Sequence, residues 1–343
     1  MIPNMNIPAQ PWTNASAPAR ILAIRLQAMG DLVITLPYLQ HLRKTLPPST
    51  RLDLLTREET APIPSNIHLF DHVYAIRGGR NFKKQLLYTF LLLPRLVAQR
   101  YEMVLDLQNN TLSRIVRKTI HPTAWSEFDR FSPVAAGERT RLTIEAAGLG
   151  PVTIHPNFRL KQPDKGLAIL QNIGYNGTDP LVVLNPAGFF ITRNWAIANY
   201  IAFARLWLEK YPTTKFLVLG TSLIAEKTAL LKKGLDQHLY DLVGQTSPLE
   251  AFAVLQHASL VLSEDSGLMH MAWTSGIPTM VLFGSTRSDW SRPLGPHSQF
   301  LDSSDLPCGN CMQATCKYED VHCLSRFSPR TVFEHSLKLY QQA

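Results

Sequence analysis

Two stretches of the chain alternate short apolar runs with segments of helical pattern. The first stretch begins with ILAIRL (21–26) and the second with LVVLNPAG (181–188). Short buried strands separated by helices are typical of parallel, doubly wound sheets. The sequence therefore predicts an α/β fold with two such domains. Because ligands of these folds bind beyond the carboxyl ends of the strands, we expect the site in a cleft that both sheets face.

The length of 343 residues fits two domains. Apolar content is highest in LLYTFLLL (86–93), which is too short for a membrane span of about 20 residues. The first residues lack the basic and apolar regions of a signal peptide, so we expect a cytoplasmic protein. The predicted parts are a flexible N-terminal tail (1–20), a first α/β domain (21–160), a linker (161–178) and a second α/β domain (179–343) that holds a cysteine loop (308–323) and a closing helix.

The balance of charges favours an anionic partner. The chain has 34 Lys and Arg residues against 26 Asp and Glu residues, a net charge of +8. Such a surface suits nucleic acid, anionic lipid, phosphorylated sugars or nucleotides. All four cysteines lie between Cys308 and Cys323, which argues against the dispersed disulfides of a small secreted protein.

The turn after the first strand, QAMGD, is the first candidate site. It does not match the G-x-G-x-x-G fingerprint of dinucleotide binding. Gly30 permits a backbone conformation that other residues resist and lets a ligand approach closely. Asp31 stands at a helix start, where it can cap the helix. The same carboxylate can act as a general base, and the two roles are compatible.

Two further turns follow strands of the second domain. Gly188 and Arg193 lie in a loop before a helix, where backbone N–H groups and a guanidinium suit a phosphate; the alternative is a solvated surface arginine. Asp265, Ser266 and Gly267 open another helix. They either cap it or bind sugar hydroxyls and a diphosphate. His270, one turn along, is more often a packing residue than a catalyst.

The cysteines follow the spacing Cys308-x2-Cys311-x4-Cys316-x6-Cys323. Four thiolates in a short window fit one tetrahedral metal site, with zinc or iron as the ion. His322 is a substitute ligand. Two local disulfides or four free thiols are the alternatives.

Five ordered segments resemble glycosyltransferase family 9, the ADP-heptose:lipopolysaccharide heptosyltransferases. They are ILAIRLQAMGDLVITLPYLQHLR, MVLDLQNNTLSRIV, LVVLNPAGFFITRNW, the most specific block SEDSGLMHMAWTSGIPTMVLFGST, and the cysteine segment. The resemblance covers the chain from Ile21 to the last helix. It implies a GT-B fold, with two Rossmann-like domains facing a central cleft, and inverting transfer of heptose from ADP-heptose to a lipopolysaccharide inner-core acceptor.

The resemblance also implies roles for particular residues. Asp31 falls on the catalytic base, and Arg193 stands where members commonly have a phosphate-binding lysine. The implied donor-binding residues are Gly188, Thr192, Arg193, Glu226, Asp265, Ser266, Gly267 and His270. The expected acceptor-binding residues of the first domain are Arg25, Gly30, Arg77 and Arg80. The scheme requires no cofactor for catalysis, so a metal on Cys308, Cys311, Cys316 and Cys323 would be structural or regulatory.

Basic residues of the first domain also suggest where the enzyme works. Arg77 and Arg80 precede Lys83 and Lys84. We expect these side chains to contact lipopolysaccharide phosphates or anionic lipid, which places the protein at the cytoplasmic face of the inner membrane as a peripheral protein.

Two other functions are compatible with the sequence. One is a transferase that acts on a protein or uses another nucleotide sugar. The other is a non-catalytic nucleic-acid-binding protein with a metal knuckle, but Glu319 and Asp320 oppose the few basic residues near the cysteines.

Overall fold

The computed structural model describes residues 7–188 and 190–342. The chain divides between His155 and Pro156 into two compact units. Each unit contains a mainly parallel sheet with helices between its strands.

The first unit alternates strands and helices along most of its length. Its described strands are β1 (Ala9–Gln10), β2 (Arg20–Ile24), β3 (Arg51–Arg57), β4 (His72–Ile76), β5 (Met103–Asp106) and β6 (Ala124–Glu127). Its described helices are α1 (Met29–Thr45), α2 (Pro62–Ser65), α3 (Phe82–Val97), α4 (Thr111–Ile120) and α5 (Ala136–Ala146).

The strands of this sheet lie in the order β1-β6-β5-β2-β3-β4, with β1 alone among the described strands antiparallel to its neighbour. Residues 21–24 of β2 are fully buried between β5 and β3, which explains why this strand is continuously apolar. Of the flexible tail predicted over residues 1–20, residues 1–6 lie outside the described residues, and the described part is held in places by contacts with the rest of the first unit. Ala9 and Gln10 pair with β6, and the Trp12 N–H donates to the Ala147 carbonyl at 2.8 Å.

The second unit repeats the alternation. Its described strands are β7 (Leu181–Asn185), β8 (Lys215–Val218), β9 (Leu239–Asp241), β10 (Leu260–Glu264), β11 (Thr279–Leu282) and β12 (Ser298–Leu301). Its described α-helices are α6 (Asp164–Asn172), α7 (Ile197–Lys210), α8 (Ala225–Leu235), α9 (Pro248–Leu255), α10 (Gly267–Thr274), α11 (Ser288–Ser291), α12 (His322–Ser325) and α13 (Pro329–Gln342). Its described 3-10 helices are Ile191–Arg193, Ser222–Ile224 and Asp236–His238.

This second sheet is parallel throughout, in the order β12-β11-β10-β7-β8-β9. The segment predicted as a linker, 161–178, differs from that expectation because it packs within the unit. Helix α6 lies against α9 so closely that a Cβ on Gly166 would stand 2.1 Å from the Ala253 carbonyl oxygen. The Gln256 amide further fixes the chain before α6 by donating to the Phe158 carbonyl at 2.9 Å.

The alternation of strand and helix patterns in the sequence is weakest between β5 and the end of the first unit. The elements α4, β6 and α5 of this region were not predicted. Helix α4 nevertheless has a clear local start signal, since Asn110 and Ser113 form a reciprocal capping box. Among the described residues, no helix has both the length and the apolar character needed to cross a bilayer.

Candidate active site

A cavity of about 570 Å³ opens in the first unit, beyond the carboxyl end of β2. Five of its lining side chains are arginines and two are carboxylates, so the cavity attracts anions. The lining residues are Arg25, Leu26, Gln27, Ala28, Met29, Asp31, Arg57, Glu59, Thr60, Arg80, Gln108, Phe128, Arg130 and Arg139.

Asp31 lies in the first turn of α1 and faces this cavity. One carboxylate oxygen accepts the Ala28 N–H at 2.9 Å. The predicted cap differs in its position, because Ala28 is the N-cap residue and Asp31, the third residue of α1, binds the N-cap N–H. Helix α1 therefore begins earlier than its apolar pattern. The other oxygen is 3.2 Å from the Arg25 guanidinium. The side chain remains 41% exposed, so it can still accept a hydrogen bond from a bound molecule. Gly30 beside it is part of the helix and does not adopt the unusual backbone conformation predicted for it.

Arg25 is buried beneath Asp31. Its guanidinium donates to the Leu107 carbonyl and lies 4.7 Å from the centre of the Phe128 ring. Burial lowers the pKa of Arg25, and the Asp31 carboxylate opposes that change. Arg25, predicted as an acceptor contact, therefore lines the cavity with a side chain already held between Asp31, a carbonyl and an aromatic ring.

Three arginines that line the cavity were not predicted from the sequence. Arg57 donates to the Gln27 side chain at 2.9 Å and to Glu59 at 2.6 Å. Arg139 donates to the carbonyls of residues 129 and 130, and it shares the Phe128 ring with Arg25. Arg130 is exposed. No motif pointed to them: the turn-rich segment 121–140 holds Arg130 and Arg139 but also three acidic residues, so its net charge gave no signal.

Of the two predicted acceptor arginines that follow β4, one reaches the cavity. Arg80 lines it, whereas Arg77 is exposed and does not belong to the lining. The intervening Gly78 and Gly79 have positive φ angles of 115° and 54°, and their N–H groups donate to Glu58. The hydrogen bonds to Glu58 fix this turn, and Arg77 and Arg80 lie on different surfaces on either side of it.

Residues after β5 hold the floor of the cavity. The Gln108 side chain accepts the N–H groups of Leu26 and Gln27, each at 2.9 Å. Asp106 accepts the Asn109 N–H at 2.7 Å, and burial raises the pKa of Asp106 to about 6. The motif DLQNN thus fixes the turn that carries Asp31.

In the second unit, Glu264 organises the ends of β7 and β10. This buried carboxylate accepts the Gly188 N–H and the Trp195 N–H, both at 2.6 Å. Burial raises the pKa of Glu264 to about 7, while the two N–H donors and nearby Lys227 act in the opposite direction. Glu264 was not among the site residues predicted from the sequence. A carboxylate at the end of a buried strand needs hydrogen-bond partners, and this could have indicated it.

Gly188 and Thr192 were predicted to bind the donor, and the structure gives both polar groups other partners. The Gly188 N–H is bound to Glu264 rather than presented to a ligand, and a Cβ there would stand 2.4 Å from the Arg193 carbonyl oxygen. The Thr192 hydroxyl is buried, 2.9 Å from the Ser285 hydroxyl, and donates to the Gln313 carbonyl at 2.6 Å. Both residues therefore stabilise the loop through contacts inside the protein.

Arg193 ends the 3-10 helix of this loop and is half-buried. Its Nε is buried without a hydrogen-bond partner among the described residues. Its guanidinium lies 5.1 Å from the centre of the Phe190 ring, which limits its orientation. A half-buried guanidinium with an unused donor fits the predicted phosphate contact.

The start of α10 lies at the same sheet edge, because β10 pairs with β7 in register Ser263–Asn185. Ser266 caps α10 by accepting the Met269 N–H at 3.4 Å and also accepts the Asn185 amide at 2.7 Å. The capping role predicted for Ser266 is confirmed. Nothing lies within 4 Å of a Cβ built on Gly267, so the first turn of α10 is open to a ligand.

The other predicted donor residues differ in exposure. Asp265 is half-buried and accepts the Ser291 hydroxyl at 3.4 Å, so it does not cap α10. His270 is buried along α10. Glu226 is exposed in the first turn of α8, next to Lys227, whose ammonium donates to the Pro186 carbonyl at 2.8 Å.

The four cysteines line a cavity of about 210 Å³ together with Thr192. All four are free thiols, so the disulfide alternative is wrong. Burial, together with the neighbouring Cys316, Cys311 and Cys308, raises the pKa of the Cys323 thiol to about 11. Within the described ranges, no three His, Cys, Asp or Glu side chains are grouped so as to hold a metal ion. The structure does not support the predicted zinc or iron site.

Comparison with known proteins gives one family. The model of glycosyltransferase family 9 (heptosyltransferase) matches residues 90–322, about two thirds of the chain. Lipopolysaccharide heptosyltransferase 1 of Pseudomonas aeruginosa is 26% identical over 351 aligned positions, which cover 91% of this chain and 96% of that protein.

Solved structures show the same fold. A glycosyl transferase family 9 structure from Veillonella parvula superposes with a TM-score of 0.80 at 18% identity, covering 95% of this chain and 98% of that one. The E. coli heptosyltransferase WaaC with ADP-2-deoxy-2-fluoro heptose gives a TM-score of 0.66 at 18% identity, covering 94% of this chain and all of the other. The two parallel sheets are those of a GT-B fold.

Proposed function

Because the chain belongs to glycosyltransferase family 9 and is a glycosyltransferase, we propose that it transfers heptose from ADP-heptose to the inner core of a lipopolysaccharide. The relative from Pseudomonas is a lipopolysaccharide heptosyltransferase that aligns over nearly its full length. The observation that carries the proposal is Asp31, a partly exposed carboxylate among five arginines at the end of β2.

The first unit binds the acceptor in this proposal. Arg57, Arg80, Arg130 and Arg139 attract its carboxylate or phosphate groups, since guanidinium groups bind such oxygens through charge-assisted, often paired hydrogen bonds. Arg25 acts differently: its contact with Asp31 orients that carboxylate.

The second unit binds the nucleotide sugar. Arg193 offers the exposed part of its half-buried guanidinium to the diphosphate, and the open first turn of α10 directs N–H groups toward the same anion. In this proposal Asp265 accepts hydroxyl groups of the sugar, and the exposed Glu226 accepts those of the ribose. Glu264, Gly188 and Thr192 hold the loop that carries Arg193.

Transfer then proceeds as a single displacement with inversion. An acceptor hydroxyl attacks the anomeric carbon while Asp31 takes its proton, and the bond to the diphosphate oxygen breaks with its electrons on that oxygen. The charge developing on the leaving diphosphate is stabilised by Arg193 and the N-terminus of α10. In this mechanism Asp31, held by its two hydrogen-bond partners, deprotonates the acceptor, and Arg193 stabilises the leaving group.

A transfer assay tests this function. Purified protein is incubated with ADP-heptose and lipopolysaccharide acceptors truncated at successive core sugars, and the product is identified by the added mass and its anomeric configuration by NMR. A single heptose with inverted configuration is expected. Transfer to a protein, or with another nucleotide sugar only, would favour the alternative transferase, and retained configuration would exclude direct displacement.

A further inference from the structure

Helix α3 exposes an apolar face that has no partner within the described structure. Its core side is formed by the buried residues Gln85, Thr89, Leu93 and Leu96. On the opposite side, Leu87 is 57% exposed, Phe90 53% and Leu91 66%. Phe82, Tyr88 and Val97 are exposed as well. A helix that is apolar on both sides is normally buried on both sides, so this face is suited to a partner.

Along α3 and along the neighbouring helix α4, the charges are all of one sign. The segment from Arg77 to Arg100 contains six basic residues and no Asp or Glu. The neighbouring α4 adds exposed Arg114 and Lys118, again without an acidic residue. An apolar strip bordered by cations has the composition of a helix that lies in a membrane interface, where apolar side chains enter the acyl boundary and the basic ones contact anionic headgroups.

The start of α3 lies beside the proposed acceptor cavity. Arg80 lines that cavity, and α3 begins two residues later at Phe82. Arg57 and Gln85 both donate to the Gly79 carbonyl, which ties the cavity wall to the first turn of the helix. A bilayer in contact with α3 would therefore hold a lipid-linked acceptor near the mouth of the cavity.

We propose that the face formed by Phe82, Leu87, Phe90, Leu91 and Val97, with Lys83, Lys84 and Arg95 at its border, docks the enzyme on an anionic lipid bilayer. The inference rests on the proposed function, which requires a lipid-linked acceptor. A second copy of the chain fits this face less well. A symmetric contact would place its basic residues opposite the same basic residues of the partner, and like charges repel.

Vesicle flotation tests the docking surface. The full chain is mixed with phosphatidylcholine vesicles, with and without phosphatidylglycerol, at low and high salt. The wild type is expected to float with the anionic vesicles and to be released by salt. The variant Phe90→Ser/Leu91→Ser should partition about tenfold or more weakly, and Lys83→Gln/Lys84→Gln should lose about fivefold per lysine with a smaller salt dependence.

The matched control is Leu223→Ser/Leu230→Ser, which removes two equally exposed leucines from the second unit and should float like the wild type. Equal loss in this control, or no binding of wild type to anionic vesicles, would overturn the proposal. So would a lipid-free dimer that Phe90→Ser/Leu91→Ser converts to monomer in sedimentation velocity, because the face would then bind a second copy.

A soluble acceptor separates this proposal from the enzyme's function. Phe90→Ser/Leu91→Ser should transfer heptose at the wild-type rate to an acceptor sugar freed of its lipid chains, and lose transfer only to acceptor embedded in vesicles. Loss on both acceptors would contradict a docking role. Wild type that floats with vesicles yet transfers no heptose would leave the docking surface intact and reject the proposed function.

Discussion

Asp31 shows how one carboxylate combines a structural and a proposed chemical role. The Ala28 N–H and the Arg25 guanidinium occupy one oxygen each, and the exposed part of the side chain faces the cavity. The capping contact anchors the carboxylate at the start of α1, so its position is fixed before a substrate binds. A base that is preoriented in this way loses little entropy when it accepts a proton.

We expect Asp31→Asn to lower kcat by about 10²- to 10⁴-fold, the usual contribution of a general base. The amide oxygen can still accept the Ala28 N–H, so ADP affinity and the folded structure should be retained. Steady-state transfer kinetics and calorimetry with ADP measure the two effects. Glu59→Gln, in the same cavity, should cost kcat far less. A normal kcat in Asp31→Asn would remove Asp31 from the chemistry.

Gly188 is required by space rather than by backbone conformation. A Cβ at this position would meet the Arg193 carbonyl oxygen at 2.4 Å and the Glu264 carboxylate at 2.7 Å. Gly188→Ala should therefore lower the free energy of unfolding by about 1–3 kcal/mol, as overpacking does. Chemical denaturation measures it. Gly267→Ala, where the new Cβ meets nothing within 4 Å, is the control and should unfold like the wild type.

Among the elements, the loop between β7 and α7 depends most on distant parts of the chain. Glu264 from β10 holds its N–H groups, Lys227 from α8 holds its carbonyl at Pro186, and Thr192 binds the segment that carries the cysteines. These contacts present Arg193 at the edge where α10 begins. The sequence placed Arg193 in this loop, but it could not show that the loop's own polar groups are used internally.

Arg193→Ala should weaken ADP binding about tenfold or more, because a charge-assisted contact to the diphosphate is lost. Isothermal calorimetry with ADP measures the affinity directly. Arg205→Ala removes an exposed arginine from α7 and provides the control, with ADP affinity unchanged. Unchanged affinity in Arg193→Ala would mean that this guanidinium does not contact the donor phosphates.

Across the whole molecule, each unit buries one carboxyl group whose pKa is raised. The pKa of Asp106 is about 6 and that of Glu264 about 7, in both cases mainly through burial. A carboxyl group with a raised pKa in the folded state holds its proton to higher pH than in the unfolded chain. Its contribution to stability is therefore present at low pH and is lost as the pH rises through the folded pKa.

Glu264 gives the clearest test of this dependence. On raising the pH from about 5 to 7, the wild type should lose stability relative to Glu264→Gln, by roughly 1.4 kcal/mol for each unit of pKa difference. Urea unfolding of both proteins at several pH values measures the difference. Comparing the two proteins cancels the histidines, such as His297, whose lowered pKa acts in the opposite sense. A difference independent of pH would contradict the raised pKa of Glu264.

The local pattern was sufficient to predict the two α/β units and the loops that bear Asp31, Arg193 and Ser266. Strand-forming and helix-forming segments are encoded over short windows, and parallel strands bring their carboxyl ends to one edge. The contacts of Arg57, Arg130 and Arg139 were not predictable, because these residues come from separate elements and meet only when those elements pack. The same reason applies to Glu264, whose partners lie on another strand's loop. Packing also determined that one side of α3 remains outside, with its leucines and phenylalanines exposed.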